Sequence, residues 1–427
     1  MKTLPGALRQ LAGVGVRLPS VFLFCCISAY GAAQQSMLIS GRVQDKDTGK
    51  PLARASVTIR GRTISTIAND QGAFSFYVPD VYKNDTLHVS AMGYESFAAS
   101  LLAIDREQDL VIRLIPFALS LQEVVITETL APEDILRLAI DKIRVNYYST
   151  PYIQQAFYRE VQQADGRYVS LIEAALKIYN KDHHQTGQHV KVLQLRKSKG
   201  HQHLTNPFWN TYNVLLSSQA LNTVGYISKR SLREYTLKRQ PDTTLDGKGV
   251  FVLTSATPEF WPIKFYIECD NFAFVRIEEM YDASLDGIKS WKQNNSDTVQ
   301  VFPQKRAVIL EYRTSPEKYS LSTLSFFISM IYKDPRSNKE ILQFSIQQDL
   351  MVNDIQSVDV KPPATKEKLR RNLEKQAFIY DPDFWKSYNI IKETPLHERI
   401  REDLEKETPL EEQFKNNQME KPSKYRN

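Results

Sequence analysis

The chain has 427 residues, 42% of them hydrophobic and 24% charged, with a formal net charge of +6. That length exceeds what one hydrophobic core serves and predicts at least two folded parts, and the composition excludes a disordered or fibrous chain. The charge excess is too small to imply nucleic acid, since setting aside Lys2, Arg9 and Arg17 of the N-terminal segment leaves 52 of the 55 basic residues against 49 acidic ones.

Those three cations precede the apolar run Leu18 to Tyr30, and the small residues Gly31, Ala32 and Ala33 follow it. This order predicts a signal peptide over residues 1–33, because so short an apolar run cannot span a hydrocarbon core of ~30 Å. An acylated Cys25 or Cys26 is the alternative, opposed by the bulky Phe24 where a lipoprotein-processing enzyme wants a small side chain. With those two cysteines removed only Cys269 remains, so no intramolecular disulfide and no cysteine-based metal site are expected. No later stretch reaches ~18 consecutive apolar residues, so no transmembrane helix is expected after signal cleavage.

Residues 38–116 alternate in short runs broken by turn residues, which predicts a small β-sandwich. Ile39, Gly41 and Val43 alternate, as do Ala55, Val57 and Ile59, then Phe74 and Phe76, then Leu87, Val89 and Ala91, and finally Leu110, Ile112 and Leu114. Asn69-Asp70-Gln71-Gly72 is a tight-turn sequence, because Asx side chains bond their own backbone and glycine accepts positive φ. Gly41-Arg42-Val43, Thr48-Gly49-Lys50-Pro51-Leu52, Ala55-Ser56-Val57, Asn69 to Phe74, Leu87-His88-Val89-Ser90 and Gly93-Tyr94 occur in the order of the carboxypeptidase-regulatory-like family. The segment resembles that family, which implies an immunoglobulin- or transthyretin-like, non-catalytic module. Ala68 departs from the threonine common before the acidic turn. Leu121-Gln122-Glu123-Val124-Val125-Ile126-Thr127 is similar to the segment that follows this module in outer-membrane proteins of Bacteroidetes-type bacteria, near a TonB box. The resemblance thus implies such a lineage, and a partner-binding role for Leu121, Glu123, Val124, Val125, Ile126 and Thr127.

Residues 117–150 read as a linker and an amphipathic helix, with Pro132 at its first turn and Ile135, Leu138, Ala139 and Ile143 on one face. Helix, Asn146-Tyr147-Tyr148 and Ala156 to Glu160 together resemble uncharacterised exported proteins that carry this module. Residues 151–360 read as mainly antiparallel β. Val250 to Leu253 suits a strand buried on both faces, and Ile263, Phe265, Ile267 and Cys269 alternate. Asp270-Asn271 is a hairpin turn, and the strand after it is expected to be buried at Phe272 and Phe274 and wet at Arg276 and Glu278. Ala307 to Tyr312 and Ile341 to Ile346 continue the series. The hairpin pattern is similar to the periplasmic lipoprotein-carrier fold, which implies a curved sheet holding a lipid. Residues 361–427 are charged and partly helical, with an aromatic patch at Asp383 to Asn389, a helix from Pro395 to Phe414 and a frayed end.

His183, His184, His189, His201 and His203 crowd into 21 residues. Imidazoles at His-x-His spacing share a face of a strand and can ligate a divalent metal beside Asp182, while the interrupting Gly, Gln and Lys residues suit a solvated loop instead. No metallopeptidase, serine-hydrolase or phosphate-loop motif occurs, and Asp246-Gly247-Lys248-Gly249 reads as a turn. Cys269 reads as a buried structural thiol. The basic runs Lys191 to Lys199 and Ser228 to Arg233, and the aromatic runs Phe208 to Tyr212 and Phe260-Trp261, suit surface and core as well as ligands. Roughly 300 residues follow Glu128, too few for the ~200 bilayer residues of a 22-stranded barrel together with its loops and plug.

The fold expected is mainly β with minor α: an N-terminal sandwich, a helical connector, a larger antiparallel β domain long enough to curve, and a helical C-terminus. The function expected is non-catalytic binding or assembly in the cell envelope, exported to the periplasm or the outer membrane, without a cofactor. Its partner is expected to be an envelope protein, a lipid or a glycan. The alternatives are a metal-dependent enzyme using the histidine-rich segment and a lipid carrier.

Overall fold

A computed structural model describes residues 36–117, 130–182, 189–199, 235–255, 262–285, 293–295, 299–315, 317–357, 373, 376, 378–393 and 395–416. The signal segment with Cys25 and Cys26, the Leu121–Thr127 heptapeptide, the runs at 208–212, 228–233 and 260–261, and the last residues of the chain lie outside them.

Seven strands form the sandwich: β1 (Ser36–Asp45), β2 (Ser56–Ile59), β3 (Ser65–Ile67), β4 (Ala73–Pro79), β5 (Thr86–Ser90), β6 (Phe97–Ser100) and β7 (Leu110–Leu114). They pair as β4-β1-β7 and β3-β2-β5-β6. Alternation decides the faces. Ile39, Val43, Val57, Ile59, Phe74, Phe76, Leu87, Val89, Ile112 and Leu114 are buried in one apolar cluster, as their period of two requires. Asn69 shapes the tight turn, accepting from the backbone N–H of Gln71 and Ala73 at 2.9 Å each, and Gly72 takes φ 70° there.

Helix α1 (Pro132–Asn146) follows, with proline in its first turn and Glu133 and Asp134 near its positive end. Its buried stripe is Ile135, Leu136, Ala139 and Ile143, so Leu136 replaces the expected Leu138, which is half-buried. Its C-terminus is tied down where Tyr147 donates its hydroxyl to Phe274 O at 2.7 Å and Asn146 donates to Asn271 O at 2.9 Å.

The large sheet contains β8 (Tyr152–Ala164), β9 (Arg167–Asn180), β10 (His189–Lys197), β11 (Leu237–Leu245), β12 (Lys248–Ser255), β13 (Ile263–Glu268), β14 (Phe274–Asp282), β15 (Gln293–Asn295), β16 (Gln300–Ser315), β17 (Lys318–Lys333) and β18 (Glu340–Ser357). Its order is β10-β9-β8-β18-β17-β16-β14-β13-β12-β11, with β15 alongside β16, and every pairing is antiparallel. The first and last long strands, β8 and β18, therefore lie side by side in the interior of the sheet. Asp246 and Gly247 both adopt positive φ in the turn joining β11 and β12, as a tight two-residue hairpin demands.

Both faces are covered, which explains why strict alternation fades here. The first face carries α1 and the main apolar core. The second meets the sandwich through Ile67 and the C-terminal elements through Trp385. Those elements are α2 (Pro382–Ser387), α3 (Pro395–Leu404) and α4 (Leu410–Asn416). The single helix expected from Pro395 to Phe414 is thus two, because Pro409 interrupts it. Among the described residues, no helix is long and apolar enough to cross a membrane.

The strand after the Asp270-Asn271 turn departs from expectation at its far end. Glu278 and Glu279 are buried and Met280 is 47% exposed. Arg276 meets Glu278 at 2.6 Å, and Arg306 of β16 pairs with Glu279. Arg276 comes from the strand itself, but Arg306 comes from a neighbouring strand, so the strand's own sequence could not show that Glu279 is paired rather than wet.

Candidate functional site

On the α1 face, strand register assembles a polar row from residues far apart in the chain. Glu160 of β8 lies opposite Gln348 of β18, Gln348 opposite Phe326 of β17, Phe326 opposite Val308 of β16, and Val308 opposite Glu279 of β14. One step along the strands, Gln162 faces Ile346, and Arg306 lies between Ile328 and Tyr281. One step the other way, Tyr158, Leu350, Leu324, Leu310, Ile277 and Phe265 line up and are buried in the main core. The face is therefore graded, with apolar rows bordering a polar one.

Glu160 is 4% exposed. Its Oε2 accepts from Tyr158 Oη and from Gln348 Nε2, both at 2.7 Å, and its Oε1 accepts from Gln162 Nε2 at 2.8 Å. Tyr158 and Gln162 reach it because residues two apart on a strand share a face. Gln348 reaches it laterally across the β8–β18 ladder. Farther along the row, Arg306 pairs with Glu279 and lies 5.6 Å from the centre of the Phe326 ring.

The second face carries charge of another kind. Glu173 of β9 receives Arg159 of β8 at 2.6 Å and Arg196 of β10 at 2.5 Å. Burial alone would raise its carboxyl, but Arg196 and Arg159 outweigh burial and hold it at about 2. Arg196 also stacks on Trp385 of α2, 4.5 Å from the ring centre, so this ion pair anchors the C-terminal elements. Arg54 of the sandwich donates to Glu311 of β16 from Nε at 3.2 Å and from Nη2 at 3.0 Å, and Arg276 meets the same carboxylate at 2.6 Å. Thr63 donates to Asp354 at 2.5 Å, and Ser65 donates to Val352 O at 2.9 Å. These contacts fasten the sandwich to β16 and β18.

Of the residues singled out in the sequence, His183, His184, His201 and His203 lie outside the described residues, as do Leu121, Glu123, Val124, Val125, Ile126 and Thr127. His189 opens β10 opposite Tyr179. Among the described residues, no group of three or more His, Cys, Asp and Glu is placed to hold a metal ion. Cys269 sits half-buried in the turn after β13 rather than on the strand, and burial foremost pushes its thiol up to about 12, which disfavours the thiolate at neutral pH. Arg196, within the basic run Lys191 to Lys199, turns inward to Glu173 instead of facing solvent. The polar row itself escaped the sequence. Glu160 falls in a strand-like segment, but its partner Gln348 lies 188 residues away.

The model of the CarboxypepD_reg-like domain family matches residues 39–126. Its match includes the strands of the sandwich. A search of the curated proteins finds no match. The chain is similar to the Vibrio parahaemolyticus domain solved as an outer membrane lipoprotein-sorting protein, at 10% identity over 54% of this chain and 95% of that one, with a TM-score of 0.26. It is similar to a LolA superfamily protein from Nitrosomonas europaea, at 12% identity over 55% and 96%, with a TM-score of 0.22. It is also similar to a structure of the Pseudomonas aeruginosa MucA/MucB complex, at 10% identity over 54% and 99%, with a TM-score of 0.19. With TM-scores of this size the likeness carries no functional argument.

Proposed function

We propose that the chain is a non-catalytic binding or assembly protein of the cell envelope, in which the α1 face of the large sheet receives a ligand or partner and the sandwich is a fixed mounting on the opposite face. The observation that carries this reading is the graded α1 face, where apolar rows through Leu350, Leu324 and Leu310 border the polar row of Glu160, Gln348, Glu279 and Arg306. Apolar rows beside a few convergent polar groups have the composition of a small-molecule site. Placement in the envelope rests on the signal-like N-terminus and on the sandwich motifs. The sandwich contributes register and anchoring rather than reactive groups, because Arg54, Thr63 and Ser65 are engaged in holding it to the sheet.

The test is mass spectrometry of material extracted from the full chain purified from its native envelope, together with titration of the purified protein by a fluorescent apolar probe. A copurifying lipid or glycan, or saturable probe binding, is expected. Protein that carries nothing and binds no probe would sink the reading. Stoichiometric zinc, lost when His201 and His203 are replaced, would replace it with the metalloenzyme alternative.

A further inference from the structure

Five glutamates are buried among the described residues: Glu160, Glu173, Glu268, Glu278 and Glu279. Four of them hold a cation. Glu173 holds Arg159 and Arg196, Glu268 holds Lys248 at 2.7 Å, Glu278 holds Arg276 at 2.6 Å, and Glu279 holds Arg306. Glu160 departs from this rule of the molecule. Its three partners, Tyr158, Gln162 and Gln348, are all neutral donors. A buried carboxylate so served is hydrogen-bonded but not neutralised, and burial without a counter-charge is unfavourable.

A second observation points the same way. The Gln348 amide is wholly buried, its Nε2 is committed to Glu160, and its Oε1 has no hydrogen-bond partner. A buried polar atom left without a partner asks for an explanation, a water, an ion or a ligand among them, and here it adjoins a carboxylate that no cation meets. What the pair lacks is complementary in kind. The carboxylate lacks positive charge and the amide oxygen lacks an N–H or O–H donor, and an ammonium group supplies both. The adjoining residue in the row, Phe326, presents a ring that already takes the Arg306 cation, and beside the row lie the apolar residues Leu350 and Leu324.

We propose that Glu160 and Gln348 form a recognition site for a primary ammonium group carried on an otherwise apolar ligand. The proposal rests on the ligand-binding reading of the α1 face and names the chemistry of the ligand's polar end. Glu160 supplies charge, Gln348 Oε1 accepts a hydrogen bond, and Tyr158 and Gln162 hold the carboxylate in place.

The experiment is calorimetric titration of the full chain at neutral pH with decylammonium chloride and with sodium decanoate, each below its micellar concentration. Decylammonium is expected to bind at least about ten-fold more tightly than decanoate, and Glu160→Gln, which keeps the side chain's shape, is expected to abolish that preference. Should Glu160→Gln fail to fold, Gln348→Leu is compared in its place, and a preference surviving there overturns the site. Equal binding of the two amphiphiles overturns the ammonium site while leaving the ligand-binding reading standing, as does a preference unchanged in Glu160→Gln. Binding of neither amphiphile overturns both.

Discussion

Arg54 occupies the left-handed region at φ 62°, where a residue with a Cβ is less stable by about 1–2 kcal/mol. The strain persists because that backbone turn delivers the guanidinium to Glu311 and to Thr323 Oγ1, the latter at 2.5 Å. Arg54→Ala keeps the strain and loses the ion pair, so it is expected to lower stability by about 2 kcal/mol, Arg276 still neutralising Glu311. Arg54→Gly loses the same pair but relaxes the backbone, and is expected to be about 1 kcal/mol more stable than the alanine variant. Urea unfolding midpoints of the two variants against wild type measure this, and an unshifted Arg54→Ala midpoint would show that the pair holds nothing. Glu173 carries a dependence on pH. Its carboxyl titrates near 2 in the fold against an ordinary 4.5, so its contribution is complete above the unfolded value and is lost as pH falls from about 5 towards 2. Melting temperature is expected to fall over that window, and less steeply in Glu173→Gln. That variant should also be less stable at pH 7 by about 3–5 kcal/mol, because Arg159 and Arg196 stay buried without their partner.

At the scale of elements, Gly41 shows why one strand tolerates no side chain. It sits in β1 between β4 and β7, and a Cβ there would lie 2.6 Å from Leu110 O and 2.8 Å from Leu110 Cβ. Gly41→Ala is expected to cost about 1–3 kcal/mol by pushing β7 away, with hydrogen-exchange protection lost first in Leu110–Leu114. Unchanged protection in β7 would place the cost elsewhere. Five sandwich strands, β1, β2, β4, β5 and β7, were legible in the sequence because one face lies on the core, so Phe74 and Phe76 or Leu87 and Val89 alternate cleanly, whereas β3 is buried along its whole length and shows no such period. The large sheet was legible as strands but not as faces. In β17, Tyr319 through Leu324 are all buried, so no period of two survives, and a bulge between Glu311 and Tyr312 shifts the pairing again. The candidate site was illegible for the same reason at longer range. Glu160 shows its significance only beside Gln348 and against the four ion-paired glutamates, and neither comparison exists within a sequence window.

At the scale of the molecule, the described residues from Ser36 onward form one compact unit. Two different joints make it so. Pairing of β8 with β18, from Ala164 opposite Phe344 to Tyr152 opposite Ser357, closes the large sheet through contacts that are distant in sequence. The sandwich is held by the apolar packing of Ile67 and by polar contacts: Arg54 on Glu311, Thr63 on Asp354, Arg313 on Thr63 O at 2.8 Å, Ser96 on Asp246 at 2.6 Å and Gly93 N–H on Thr244 O at 2.7 Å. A polar joint between parts with separate apolar cores is the kind that yields first. Calorimetry of the wild-type chain is nevertheless expected to show one cooperative transition, because the ion pair, the Thr63 hydrogen bond and the packing of Ile67 tie the sandwich to the sheet. In the double variant Arg54→Ala, Thr63→Ala, an earlier and smaller transition belonging to the sandwich should separate from it, because its own apolar cluster survives the loss of the joint. Two transitions in the wild type would mean that the polar contacts do not couple the parts at all. One transition in the double variant would mean that burial of Ser65, Thr66 and Ile67 against the sheet, rather than the ion pair, carries the coupling.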